Sequence, residues 1–174
     1  MYSLIDRHVS KNIDIPRNHK MNFELYIGKK LNENVFDISL SNKQFINTLK
    51  KMDIHKSSFY KQKNFYKNNL VSTYRNGNQH SYESYLCHKL ISKKHNIIIL
   101  SKSQKKVKNN SLCRSNYNHM DENEIIEINY DNITIYFIHS LKNYYIKIVF
   151  NKNTNLSKLC KIIETLSTPH HNNT

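Results

Sequence analysis

Residues 21–30, MNFELYIGKK, alternate along an extended chain: Phe23, Leu25 and Ile27 fall on one side, and Asn22, Glu24, Tyr26 and Gly28 on the other. The same division returns near the far end of the chain. In NITIYFIH, Ile133, Ile135 and Phe137 oppose Asn132, Thr134 and Tyr136. In NYYIKIVF, Tyr144, Ile146, Ile148 and Phe150 oppose Tyr145, Lys147 and Val149, and in EIIEINY, Ile126 and Ile128 oppose Glu127 and Asn129. These are four strands, each with an apolar and a polar face.

Between them the pattern predicts further elements. Residues 1–20 are polar, contain Pro16 and read as a loose arm or a short helix. VFDISL (35–40) alternates again and reads as the hairpin partner of the opening strand. Ser41 stands where a helix N-cap belongs, and Phe45, Leu49 and Met52 recur at helical spacing. The stretch 53–69 interleaves lysines with Phe and Tyr, either as a groove for single-stranded nucleic acid or as a strand and loop feeding the core. LVSTYR, SYESYLCHKLI and NIIIL read as strands, and NGN as a turn. SKSQKKVKNN (101–110) reads as an exposed basic loop, which could also track an RNA backbone, SLCRSNY (111–117) as a strand, and DENEIIE (121–127) as a solvated acidic hairpin rim in preference to a metal site. TNLSKLCKIIETL (154–166) is an amphipathic helix with Leu156, Leu159, Cys160, Ile163 and Leu166 on one face.

Hairpin-length links make the strands antiparallel, and a sheet this large in so short a chain must close or stack on itself. The expected class is α+β: a closed antiparallel β-barrel or tunnel of about eight or nine strands with a few flanking helices. It forms one domain over residues 21–167, after an arm (1–20) and before a disordered tail (168–174).

Composition adds a partner class. With 12 Tyr and 7 Phe the chain has too many aromatics for disorder. Its net charge of +14 favours a polyanion such as RNA or DNA. The excess of Asn and Lys also marks an AT-rich genome, viral or protozoan. Three isolated cysteines do not make a disulfide framework, no apolar run is long enough for a membrane span, and the first residues lack a secretory core. The expected location is therefore intracellular, cytoplasmic or nuclear, an infected host cell included. There is no Gly-rich phosphate loop, and the dispersed histidines lack zinc-ligand spacing with cysteine.

The polar strand faces, with Glu24, Glu127, Asn132, Thr134 and Lys147, admit two arrangements. They meet water, as in an ordinary small barrel, or they line a hydrophilic tunnel while the apolar faces pack outward on helices.

The order of elements resembles the triphosphate-tunnel RNA 5′-triphosphatases of viral and fungal mRNA capping systems. The opening strand of that family is matched by Asn22, Glu24, Tyr26 and Gly28; the following strand and helix by VFDISLSNKQFINTL; later basic positions by Arg75, Lys89 and Arg114; and the Asp-Leu-Thr strand by Asn132, Ile133 and Thr134. Where the last strand of the family reads acidic-x-acidic, this chain has Lys147 and Val149, and Ile98 and Gln104 stand at two further charged positions. The resemblance implies a tunnel gripping the 5′-triphosphate of nascent RNA through Arg75, Lys89, Arg114 and Lys147. It implies Glu24 as the catalytic carboxylate, with Mn²⁺ or Mg²⁺ as cofactor if the chain is catalytic. Of the acidic pairs that hold the metal only Glu24 remains, with Glu127 as the other carboxylate offered as ligand, from a strand position that is not the family's. The implied partners are an RNA 5′ end or other polyanion and another capping or transcription subunit, with no membrane. The alternatives are a non-catalytic basic nucleic-acid-binding protein and a β-barrel interaction scaffold.

Overall fold

Strand pairing follows the alternation. The computed structural model describes residues 1–10, 20–32, 35–68, 70–92, 96–106, 117–141 and 143–167. Its elements are α1 (Tyr2–Val9), β1 (Lys20–Ile27), β2 (Lys29–Lys30), β3 (Phe36–Asp37), α2 (Asn42–Leu49), a 3-10 turn (Ile54–Lys56), β4 (Ser57–Lys67), β5 (Leu70–Arg75), β6 (Asn78–Ser92), β7 (Ile97–Lys106), β8 (His119–Tyr130), β9 (Ile133–Ser140), β10 (Asn143–Phe150) and α3 (Leu156–Ser167). The chain is α+β, with antiparallel strands and three α-helices among the described residues.

The eight long strands pair in the order β1-β10-β9-β8-β4-β5-β6-β7, and β7 pairs back with β1. Phe23 thus stands opposite Phe150 on one side and Ser101 on the other. Tight turns make the hairpins. Between β5 and β6 the chain reverses at Asn76 (φ 50°) and Gly77 (φ 86°), left-handed conformations that Asn and Gly tolerate best.

Several expected elements change. VFDISL is not the hairpin partner of β1, because β10 and β7 take both edges of that strand. It supplies only β3, which pairs with β2 through Lys29–Asp37 and Lys30–Phe36. Gly28 permits this fold-back, since a Cβ there would lie 2.1 Å from the Asp37 carbonyl oxygen. The basic run 101–106 is not a loop but the second half of β7, and DENEIIE is not a rim but the middle of β8. In both, the alternation is lost from the sequence, since Lys105 and Lys106 are consecutive and the acids of 121–127 fall at odd and even positions alike, which hides the strand from a reading based on apolar residues. The N-terminal segment forms a true helix at Tyr2–Val9 whose Ile5 and Val9 enter the core. Apart from Tyr117, the strand expected at 111–117 lies outside the described residues, as does the expected tail at 168–174.

The core lies between the strands and the helices. Phe23, Leu25 and Ile27 of β1, Ile133, Ile135 and Phe137 of β9, and Ile146, Ile148 and Phe150 of β10 form one cluster with Ile5, Phe45, Leu159, Ile163 and Leu166 from the helices. Phe23 stacks on Phe150 at 5.2 Å, and Phe45 meets Phe137 edge-on at 5.6 Å. Burying each such side chain contributes roughly 1.5–3 kcal/mol. Ser41 fixes the start of α2 by a capping box: its Oγ accepts from the Gln44 N–H at 3.1 Å, and Gln44 Oε1 accepts from the Ser41 N–H at 3.0 Å.

Candidate functional site

Because the apolar faces of β1, β9 and β10 lie under the helices, alternation turns their polar faces to the inside of the ring. Glu24 illustrates the result. It is a carboxylate on a strand, yet only 7% exposed. The Tyr26 hydroxyl donates a hydrogen bond to Glu24 Oε2 at 3.1 Å, and Lys147 Nζ stands 3.9 Å from Glu24 Oε1. Lys147 also lies over the ring of Tyr136, 4.9 Å from its centroid. Burial first, and then Glu24, hold the Tyr26 hydroxyl well above its ordinary pKa. Among the groups acting on Tyr26 is Tyr66, on a strand four places away around the ring in either direction.

A second pair lies further round. Arg75 at the end of β5 places Nη1 3.6 Å from Glu127 Oε1 of β8, and its Nε donates to Gln62 Oε1 at 3.1 Å. Its guanidinium covers the ring of Tyr60 at 4.3 Å, and the Tyr60 hydroxyl donates to Glu127 Oε1 at 2.8 Å. Asn129 Nδ2 donates to Glu127 Oε2 at 3.0 Å. A third network joins Asp121, which accepts from Asn64 Nδ2 at 2.8 Å and from the Tyr66 hydroxyl at 2.9 Å, while Thr73 donates to Asn64 Oδ1 at 2.9 Å. Tyr60, Ile125 and Ile138, with Tyr136 and Tyr145 against them, form an apolar cluster of their own. Burial is the main cause of the raised pKa values of Tyr60, Tyr136 and Tyr145.

Of the residues expected at the site, the structure brings Glu24 together with Lys147, and Glu127 with Arg75. Lys89 lies in β6, paired in register with Leu100, which in turn pairs with Glu24. Arg114 lies outside the described residues. Sequence reasoning missed Tyr26, Tyr60, Asp121, Asn64 and Tyr66 as members of these networks. The signal was present, since Tyr60, Gln62, Asn64 and Tyr66 are the even positions of an alternating strand.

Among the described residues the carboxylates do not fit a divalent cation. A hard ion takes six or more oxygen ligands. Among the described residues no group of three His, Cys, Asp or Glu side chains comes together to hold one. Glu24 and Glu127 sit instead with separate cations, and their oxygens already accept from Tyr26, Tyr60 and Asn129.

The chain, an antiparallel ring with apolar faces packed on flanking helices, has a fold like that of the triphosphate-tunnel RNA triphosphatases. The chain is similar in structure to the RNA triphosphatase Pct1 of S. pombe, with TM-score 0.64 and 7% identity over 94% of this chain and 80% of that one. It is similar to the same enzyme in complex with the Spt5 CTD, with TM-score 0.62 and 8% identity over 94% and 81%. It is also similar to the RNA triphosphatase domain of the trifunctional mimivirus mRNA capping enzyme, with TM-score 0.55 and 12% identity over 96% and 97%. No family model and no curated protein matches the sequence.

Proposed function

We propose that the protein binds the 5′-triphosphate end of RNA within the ring of strands, which acts as a tunnel in an mRNA capping apparatus. The observation that carries this reading is the inward placement of Glu24 with Lys147 and of Glu127 with Arg75, on a fold shared with RNA triphosphatases. Arg75, Lys89, Arg114 and Lys147 are the proposed phosphate-gripping residues, and Glu24 the carboxylate on which hydrolysis would depend. The net charge of +14 draws the polyanion in. The crowding of each carboxylate by its own cation favours binding over turnover. A capping or transcription subunit is the proposed partner, in line with the fission-yeast enzyme's complex with the Spt5 CTD.

The test offers γ-labelled triphosphate RNA with Mn²⁺ or Mg²⁺ to the wild type and to Glu24→Ala. Salt-sensitive retention of triphosphate RNA, stronger than that of the same RNA with a 5′-hydroxyl, is the expected result. Labelled phosphate release that Glu24→Ala abolishes would extend the reading to catalysis. Equal retention of both RNAs would leave only a general nucleic-acid binder and overturn the proposal.

A further inference from the structure

We propose that the ammonium group of Lys147 serves as a built-in cation beside Glu24, so that this site takes a terminal phosphate without any divalent metal. The inference rests on the triphosphate-binding reading and specifies its chemistry.

The argument is geometric. Lys147 is held in place by the charge of Glu24 and the face of Tyr136, from adjoining strands on either side of β10. Its Nζ stands 3.9 Å from the carboxylate, beyond hydrogen-bond length, so the ion pair does not use up its N–H donors. Arg75 is placed alike: Nε is spent on Gln62 and another N–H on the Tyr136 hydroxyl, while Nη1 lies 3.6 Å from Glu127, beyond a direct hydrogen bond, so part of its five-donor fork remains. Both cations are thus oriented by carboxylates and ring faces, with donors left for a third group. A phosphate oxygen accepts from such donors, and charge-assisted bonds of this kind are the strong ones. A divalent ion bound to Glu24 would have to displace Lys147 or lie a few ångströms from it. Two positive charges that close repel each other, and a divalent ion doubles the repulsion of a single charge.

The experiment is calorimetric titration of inorganic tripolyphosphate into the full chain, in EDTA and then in Mn²⁺. Expected is binding in EDTA, not tightened by Mn²⁺ beyond the ion's own complexation of tripolyphosphate. It should weaken about tenfold or more in Lys147→Met and stay within about threefold in Lys147→Arg. Circular dichroism and thermal melting confirm that each variant is folded. Binding that requires Mn²⁺ would overturn this inference and leave the triphosphate reading standing. So would binding in EDTA that a folded Lys147→Met leaves unchanged, or that both folded variants lose equally, since charge would then not be the determinant. Absence of binding in both EDTA and Mn²⁺ would overturn the triphosphate reading together with this inference.

Discussion

The Tyr60 hydroxyl donates to Glu127 Oε1 at 2.8 Å across neighbouring strands, two positions from the residue directly opposite Tyr60, which is Ile125. The bond links an aromatic of the inner apolar cluster to the carboxylate that faces Arg75. Tyr60→Phe removes the donor and keeps the ring. A buried acceptor that loses one partner costs about 1–3 kcal/mol, and Glu127 retains Asn129 and Arg75, so the loss is expected near about 1 kcal/mol. A shift in urea midpoint with unchanged slope checks this.

Glu24 and Lys147 should behave as a coupled pair. Glu24→Gln leaves Lys147 beside a neutral amide, and Lys147→Met leaves a buried carboxylate with Tyr26 as its donor. Lys147 is partly exposed, so solvent screens the pair. The expected coupling in a double-mutant cycle is about 0.5–3 kcal/mol. Additive single changes would show that the two residues do not interact in solution.

Gly28 is a steric requirement rather than a conformational one. A methyl group there would meet Asp37 O at 2.1 Å and the Phe36 ring at 2.8 Å. Gly28→Ala must push β3 away from β2, at an expected cost of about 1–3 kcal/mol in chemical denaturation.

Alkaline pH should destabilise the fold through its inner tyrosines. Tyr26, Tyr60, Tyr136 and Tyr145 all have raised pKa values, with burial as the first cause. Above the ordinary tyrosine pKa of about 10 the unfolded chain gives up these protons while the fold keeps them. The unfolded state then binds fewer protons, so stability falls as pH rises; below about pH 10 the contribution is present in full. Denaturation midpoints measured from pH 8 upward should show the decline. Tyr26→Phe should shallow it relative to wild type, which separates tyrosine ionisation from that of the lysines.

Much of the fold was legible because alternation survives in the sequence wherever apolar residues mark one face. That exposed β1, β8, β9 and β10, and Ser41 with Gln44 marked the start of α2. β7 was cut short at Leu100, since beyond it neither face is apolar. α1 was ambiguous because its buried side carries only two apolar residues, Ile5 and Val9, beside the polar His8. The direction of the faces was not legible at all: alternation separates Phe23 from Glu24 but is silent on which meets the helices. The structure answers this through Ile5, Phe45 and Leu159, residues far from β1 in the chain. Glu24, Lys147, Arg75 and Glu127 were named from sequence, but their pairing was not, because it depends on register and ring order.

The inward-polar arrangement also bears on how much of the sequence the fold leaves free. The strands under the helices, β1, β7, β8, β9 and β10, are written in two interleaved alphabets, one for packing against the helices and the other facing the inside of the ring. The second alphabet, Lys147 among its letters, can be rewritten without touching the letters that hold the scaffold. The same architecture accordingly recurs in solved structures that share only 7–12% of residues with this chain.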